Sequence, residues 1–265
     1  MRNGMKPSSD GMGIRLKSRE FPVSATDITL LDDILQGGFR KDSIIHLYGE
    51  PGSGRTTFVM QLMSRVLKAG WRGIWIDCNG AFSPKRLMQI LDTPDSIQNL
   101  MQMRPNSSQH QTLILQNLQH ILSDVGLVVV DPITHFYRAE RYRAGSQGFF
   151  QELIDTQMGI LVGVASQKIP VVVVNYATKR NGSALVPLVE RGFHRYERYR
   201  LLFQNIPTFE EDPDVVEHGM TIEISPDPYS RNREFIFTIG SSGIENFRLA
   251  DIEDRDMEDD MDGVP

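Results

Sequence analysis

Residues 43–48 (S-I-I-H-L-Y) form a short, mostly apolar run that ends in Gly49, and the next apolar stretch, 58–67, has helical spacing at Met60, Met63, Val66 and Leu67. The pattern predicts strand, loop, helix. Residues 73–77 (G-I-W-I-D) predict a second buried strand, and a short helix over 87–91 follows Ser83-Pro84, a capping residue ahead of a proline at the first helical position. A further helix is predicted over roughly 109–122, from Leu113, Leu115, Leu118, Ile121 and Leu122. Residues 126–131 then read as a strand apolar on both faces, and a long helix over 147–166 leads into another two-sided strand at 169–174. Strands alternating with helices imply right-handed crossovers and an α/β fold with a mostly parallel sheet covered on both faces. The last part differs: 199–203, 220–224 and 234–239 are strand-like with no helices between them, which predicts an antiparallel C-terminal extension.

With 265 residues, 40% of them hydrophobic, the chain has ample apolar material for a core and shows no second domain or internal repeat. Residues 1–20 are expected to form a flexible basic arm, since they lack the apolar segment of a secretory signal. Residues 21–250 are expected to form the core. The formal charge of −6 is unevenly spread: eight acids and one base from Asp251 onward place −7 on residues 251–265, predicting a disordered acidic tail, and leave +1 on the rest. This composition excludes a strongly basic coat protein but neither a phosphate-rich ligand nor DNA. The single cysteine, Cys78, cannot form an internal disulfide, and no apolar run reaches the roughly 20 residues of a membrane span, so no membrane association and a reducing, cytoplasmic setting are expected.

The chemistry concentrates after the first strand. Gly49-Glu50-Pro51-Gly52-Ser53-Gly54-Arg55-Thr56-Thr57 follows G-x-x-x-x-G-K-[ST] with one departure, Arg55 in place of lysine. The glycines let backbone N–H groups curl around phosphates, and the following helix points its positive end at them. Thr56 would supply a hydroxyl to Mg²⁺, and Asp131, ending the apolar run 127–130, stands where a metal-side carboxylate is expected. ATP and Mg²⁺ are therefore the expected cofactors. A compact lysine ammonium can follow a terminal phosphate, whereas a planar guanidinium holds oxygens in a fixed fork, so the substitution threatens transfer more than binding.

Four stretches in order carry a wider resemblance. Thr26-D-I-T-L-L-D-D-I-L-Q-G-G38 resembles S-T-G-I-x-x-L-D-x-L-L-G-G-G, with Asp27 where glycine is usual. Residues 75–87 (W-I-D-C-N-G-A-F-S-P-K-R-L) are similar to Y-I-D-T-E-G-T-F-R-P-E-R-L, and 128–138 (V-V-V-D-P-I-T-H-F-Y-R) to L-V-V-D-S-L-T-A-H-F-R. Residues 172–176 (V-V-V-N-Y) stand where V-T-N-Q-V is expected. Over about 26–247 the chain thus resembles the RecA/RadA recombinase superfamily, and within it the short archaeal RadB-like paralogues that keep only the ATPase core. The resemblance implies a RecA-like P-loop NTPase core. It places the glutamate that activates water on Asn79, the arginine that stacks on adenine on Arg86, and the glutamine that senses the terminal phosphate on Tyr176, beside a retained Asn175. An amide cannot take a proton from water, so general-base help is lost and no residue is assigned a catalytic role. The implied protein binds ATP and hydrolyses it weakly or not at all.

The resemblance also implies two mobile loops that touch single-stranded DNA, here 137–148 and 177–189. The first interleaves Arg138, Arg141 and Arg143 with Tyr137 and Tyr142, the mixture of cations and rings that single strands favour, and the second contributes Lys179 and Arg180. Residues 138–200 hold ten bases and five acids. Phe21-P-V-S-Ala25 is similar to the F-x-x-A segment by which recombinases dock on a neighbour, though off by one position. Lone His194 is assigned no chemistry. The leading expectation is an ATP-binding accessory of homologous recombination and DNA repair, with single-stranded DNA and a RadA-type recombinase or other RecA-like subunit as partners. Two alternatives stand beside it: a pseudo-ATPase scaffold subunit of a RecA-like oligomer without DNA function, and a KaiC-like regulatory ATPase suggested by G-E-P-G-S-G and the preceding G-G-F-R-K-D-S.

Overall fold

The computed structural model describes residues 25–140, 146–180, 182, 184–206, 216–224 and 233–250. The basic arm, the acidic tail, most of the F-x-x-A segment, and Arg141, Tyr142 and Arg143 lie outside them. The chain runs α1 (Thr29–Ile34), β1 (Ile44–Gly49), α2 (Arg55–Lys68), β2 (Arg72–Asp77), α3 (Pro84–Leu91), β3 (Leu100–Met103), α4 (Ser108–Asn117) and β4 (Val125–Asp131). It continues through α5 (His135–Glu140), α6 (Ser146–Ala165), β5 (Val171–Arg180), β6 (Ala184–Pro187), β7 (Tyr199–Asn205), β8 (Glu217–Ile224), β9 (Arg233–Gly240) and β10 (Gly243–Leu249).

The ten-stranded sheet has the order β10-β9-β8-β7-β1-β5-β4-β2-β3, with β6 paired to the end of β5. From β7 to β3 neighbouring strands run parallel, and β8, β9 and β10 add an antiparallel wing. The apolar two-sided strands sort their side chains by alternation into two cores. Ile45, Leu47, Leu127, Val129, Val172 and Val174 face α2 and α3 with Phe58, Leu62 and Leu87. Ile44, Val128, Val130, Val171 and Val173 face Leu115 of α4 and Ile154, Met158 and Leu161 of α6.

Four local expectations are corrected. The first C-terminal strand, β7, is antiparallel to β8 but parallel to β1. Residues 177–189 form not an open loop but an antiparallel hairpin, in which Ala177 pairs with Pro187 and Arg180 with Ala184. Helix α4 ends at Asn117, followed by a 3₁₀ turn over Leu118–His120, rather than reaching 122. The edge strands β3 and β10 add to the predicted set. The cap at Ser83 forms as predicted, its hydroxyl accepting from Arg86 N–H at 3.2 Å. Asp27, at the position where the resemblance has glycine, has φ +67°, a left-handed conformation that glycine adopts more readily, and its carboxylate pairs with Arg65.

Candidate nucleotide and nucleic-acid site

The glycine-rich loop leaves the carboxyl end of β1, flanked by β5 and β7, where α/β sheets open a crevice. Its start is fixed by close approach. Gly49 has φ +152°, and a Cβ there would lie 1.9 Å from the carbonyl oxygen of Phe203 on β7. Glu50 N–H donates to that same carbonyl at 3.1 Å, Asn205 N–H donates to the Glu50 carboxylate at 2.9 Å, and the Asn205 amide donates to Pro51 O at 3.1 Å. Ser53 closes the turn by donating its N–H and its hydroxyl to Glu50 O at 3.3 and 2.8 Å. Gly54 then caps α2 with φ +92°. The first intrahelical bond is Phe58 N–H to Gly54 O, so the N–H groups of Arg55, Thr56 and Thr57 have no intrahelical acceptor. A rigid cradle of backbone donors at a helix N-terminus suits phosphate.

Thr56 donates its hydroxyl to Asp131 Oδ2 at 3.1 Å. Burial pushes the Asp131 carboxyl up to about 6, against the Thr56 hydrogen bond and the charge of Arg55, and the carboxylate of Asp77 adds to the rise. Asp77 and Asp131 are register partners at the ends of β2 and β4. Asp77 is buried and held by Phe82 N–H (3.4 Å), Gln102 (2.9 Å) and Arg104 (3.3 Å), so its two oxygens are engaged in structure. Among the described residues no cluster of three or more His, Cys, Asp or Glu could hold a metal ion. Mg²⁺ takes one or two protein oxygens and completes its shell with phosphates and water, and the Thr56 hydroxyl and Asp131 carboxylate are oxygens of that kind. Burial also raises the Cys78 thiol well above its ordinary range, aided by the carboxylates of Asp131 and Asp77.

The remaining expected site residues take other partners. The Arg55 guanidinium donates to the main-chain oxygens of Asn175 and, at 3.1 Å, Glu50. Arg86 donates to Gly240 O at 2.6 Å and Ser241 O at 2.9 Å, pinning the β9–β10 turn to α3. Asn79 is exposed, its side-chain oxygen accepting from Ala81 N–H at 3.0 Å. The Tyr176 ring lies under the Arg138 guanidinium at 4.9 Å.

Beyond Tyr176, the β5–β6 hairpin carries exposed Lys179 and Arg180, and Arg180 pairs with Glu190. A cavity of about 470 Å³ opens between this hairpin and α5 and α6, lined among others by Tyr137, Gln151, Arg180, Glu190 and Arg191. Tyr137 and Arg180 are thus brought to one cavity.

Sequence reasoning missed the polar cluster behind the loop. Asn175 donates to Leu188 O at 2.9 Å and to His46 Nε2 at 3.3 Å, and its oxygen accepts from Thr134. With Nε2 an acceptor, His46 Nδ1–H donates to Glu197, which also accepts from Arg200 Nε at 2.8 Å. His46 is fully buried and stacks on Phe193 at 4.4 Å. Its one visible signal was a histidine inside an otherwise apolar strand.

The sheet order and the loop define a P-loop nucleotide-binding fold of the RecA kind. Residues 19–189 match the Rad51 family model, and the chain belongs to that family. It is 33% identical to the DNA repair and recombination protein RadB of Thermococcus kodakarensis over 158 residues, 57% of this chain and 69% of that one. The RadB of Pyrococcus furiosus is 31% identical over 191 residues, 66% of this chain and 81% of its own. A crystal structure of the RadB recombinase superposes with a TM-score of 0.68 at 26% identity, covering 84% of this chain and 98% of that one. The chain is RadB-like, as the four motif stretches implied.

Proposed function

We propose that this chain is an ATP-binding accessory of homologous recombination and DNA repair, acting on single-stranded DNA, on an active RadA-type recombinase or other RecA-like subunit, or on both, with ATP hydrolysis weak or absent. The observation that carries the reading is a backbone phosphate cradle with its Thr56–Asp131 pair, in a chain that has an amide at position 79. Gly49 through Thr57 would hold the phosphates and Arg86 would border the adenine at the β9–β10 turn. Mg²⁺ bound at Thr56 and Asp131 would neutralise phosphate charge. Asn79 cannot remove a proton from an attacking water, so turnover is slow. The RadB relatives, described as DNA repair and recombination proteins, support the process. Lys179, Arg180 and the neighbouring cavity, with Arg138, Arg141, Tyr142 and Arg143, support contact with a single strand. Among the described residues no helix is long and apolar enough to cross a membrane.

The test has two arms on the purified chain. ATP turnover should fall far below that of active recombinases, and any residual rate should vanish in Asp131→Ala. Binding to a labelled oligonucleotide should weaken steeply with salt, as phosphate contacts require. A turnover rate matching active recombinases sinks the weak-hydrolysis reading. One observation favours a scaffold without DNA function: Arg180 is already paired with Glu190. Absence of oligonucleotide binding at low salt would select that reading.

A further inference from the structure

The groups placed to meet a third phosphate differ sharply from those placed to meet the first two. The inner phosphates of a bound nucleotide would face backbone N–H donors, fixed by the loop's bonds to Phe203 and Asn205 on β7 and by the start of α2. The side chain at position 55, which in this motif reaches the β- and γ-phosphates, is instead committed to protein acceptors. Its guanidinium joins Glu50 O, at the exit of β1, to Asn175 O, near the end of the adjacent strand β5. The planar fork meets the two oxygens with two separate nitrogens, whereas an ammonium would have to reach both from one. Asn79 has its oxygen on Ala81 N–H, and Tyr176 lies beneath Arg138.

We infer that the site recognises a nucleoside diphosphate unit and is indifferent to a third phosphate, and that Arg55 is the residue that sets this indifference. The inference rests on the nucleotide-binding reading above. For Arg55 to reach a terminal phosphate, both of its charge-assisted carbonyl bonds must break: Glu50 O would keep only its neutral donors from Ser53, and Asn175 O would lose its guanidinium partner in a part-buried setting. The new charge-assisted bonds are offset by that loss. ADP and ATP then bind alike, and the bound nucleotide serves as a structural support of the loop rather than as a signal of hydrolysis state. A lysine at 55 would give up the bridge between β1 and β5 and leave its ammonium free to follow the γ-phosphate.

The experiment is calorimetric titration of the full chain with Mg-ADP, Mg-ATP and a non-hydrolysable ATP analogue, repeated on Arg55→Lys. The dissociation constants for the wild-type chain should agree within about threefold, and Arg55→Lys should favour the triphosphates by about tenfold or more. A wild-type preference for triphosphate of about tenfold overturns the inference while leaving nucleotide binding intact. Failure of all three nucleotides to bind overturns the nucleotide-binding reading itself, and the inference with it. The wild-type comparison decides the matter even if Arg55→Lys does not fold, and a folded Arg55→Lys with an unchanged ratio removes the role assigned to Arg55.

Discussion

Thr56 Oγ1 lies 3.1 Å from Asp131 Oδ2, joining the first turn of α2 to the end of β4 across the intervening strand β5. The bond pairs the two oxygens that a nucleotide-bound Mg²⁺ would use. Thr56→Ala and Asp131→Asn should each weaken nucleotide binding in Mg²⁺ by roughly tenfold and leave binding in EDTA nearly unchanged. The double variant should lose little more than either single one, because both act on the same cation. Titration with and without Mg²⁺ checks this; equal losses in EDTA would assign the pair to loop structure instead.

The buried Glu197 predicts an acid limit to stability. Burial alone would raise its carboxyl, but the hydrogen bond from His46 and the charge and hydrogen bonds of Arg200 hold it down at about 2, below an ordinary value of 4.5. A depressed folded value means that the unfolded chain takes up the proton first. The stabilisation is therefore complete above about pH 4.5 and is lost as pH falls toward 2. Glu197→Gln should lower stability at pH 7 by on the order of 2 kcal/mol and flatten the stability profile in that acid range. Denaturant unfolding across pH measures both effects, and an unchanged slope would show that Glu197 is not the group responsible.

Gly49 admits no side chain. A methyl group there would meet Phe203 O at 1.9 Å while the backbone sits at φ +152°. Gly49→Ala should cost more than about 3 kcal/mol in unfolding free energy and abolish nucleotide binding. Gly52, whose Cβ would meet nothing within 4 Å, provides the comparison. Since its φ is +81°, Gly52→Ala should cost only about 1 kcal/mol, and thermal unfolding of the two variants ranks them.

Charge on the β5–β6 hairpin should tune DNA affinity in opposite directions. Lys179→Ala should weaken oligonucleotide binding and reduce the salt slope by about one phosphate contact. Glu190→Gln frees Arg180 from its ion pair and should strengthen binding at low salt. Deleting residues 251–265 removes a charge of −7 and should also strengthen it. Fluorescence anisotropy over a salt series resolves all three; tighter binding by Lys179→Ala would place the DNA elsewhere.

The central strands were legible because burial on both faces leaves uninterrupted apolar runs, as in 127–130 and 171–174. The loop was legible because glycine spacing and a following helix have few other uses. Partner choice was not: the run 199–203 says strand, but nothing in it says that β7 pairs with β1 in parallel. Strand β3, Leu-Met-Gln-Met, is a short edge element with half-buried side chains, too brief for alternation to show. The hairpin over 177–189 has exposed polar residues on β5 and lacks the apolar rhythm of a core strand. Arg55 was visible as a substitution, but the carbonyls it bridges come from positions 50 and 175, which only the fold brings together.

The closure of the loop on β7 bears on how the molecule can be divided. The family match ends at residue 189, yet the carbonyl of Phe203 and the side chain of Asn205 shape the phosphate cradle. A fragment cut at that limit would keep every motif residue and lose the wall against which the loop is cast. The antiparallel wing continues directly from that wall through β8, so the cut would also remove the wing together with the strand on which it is built.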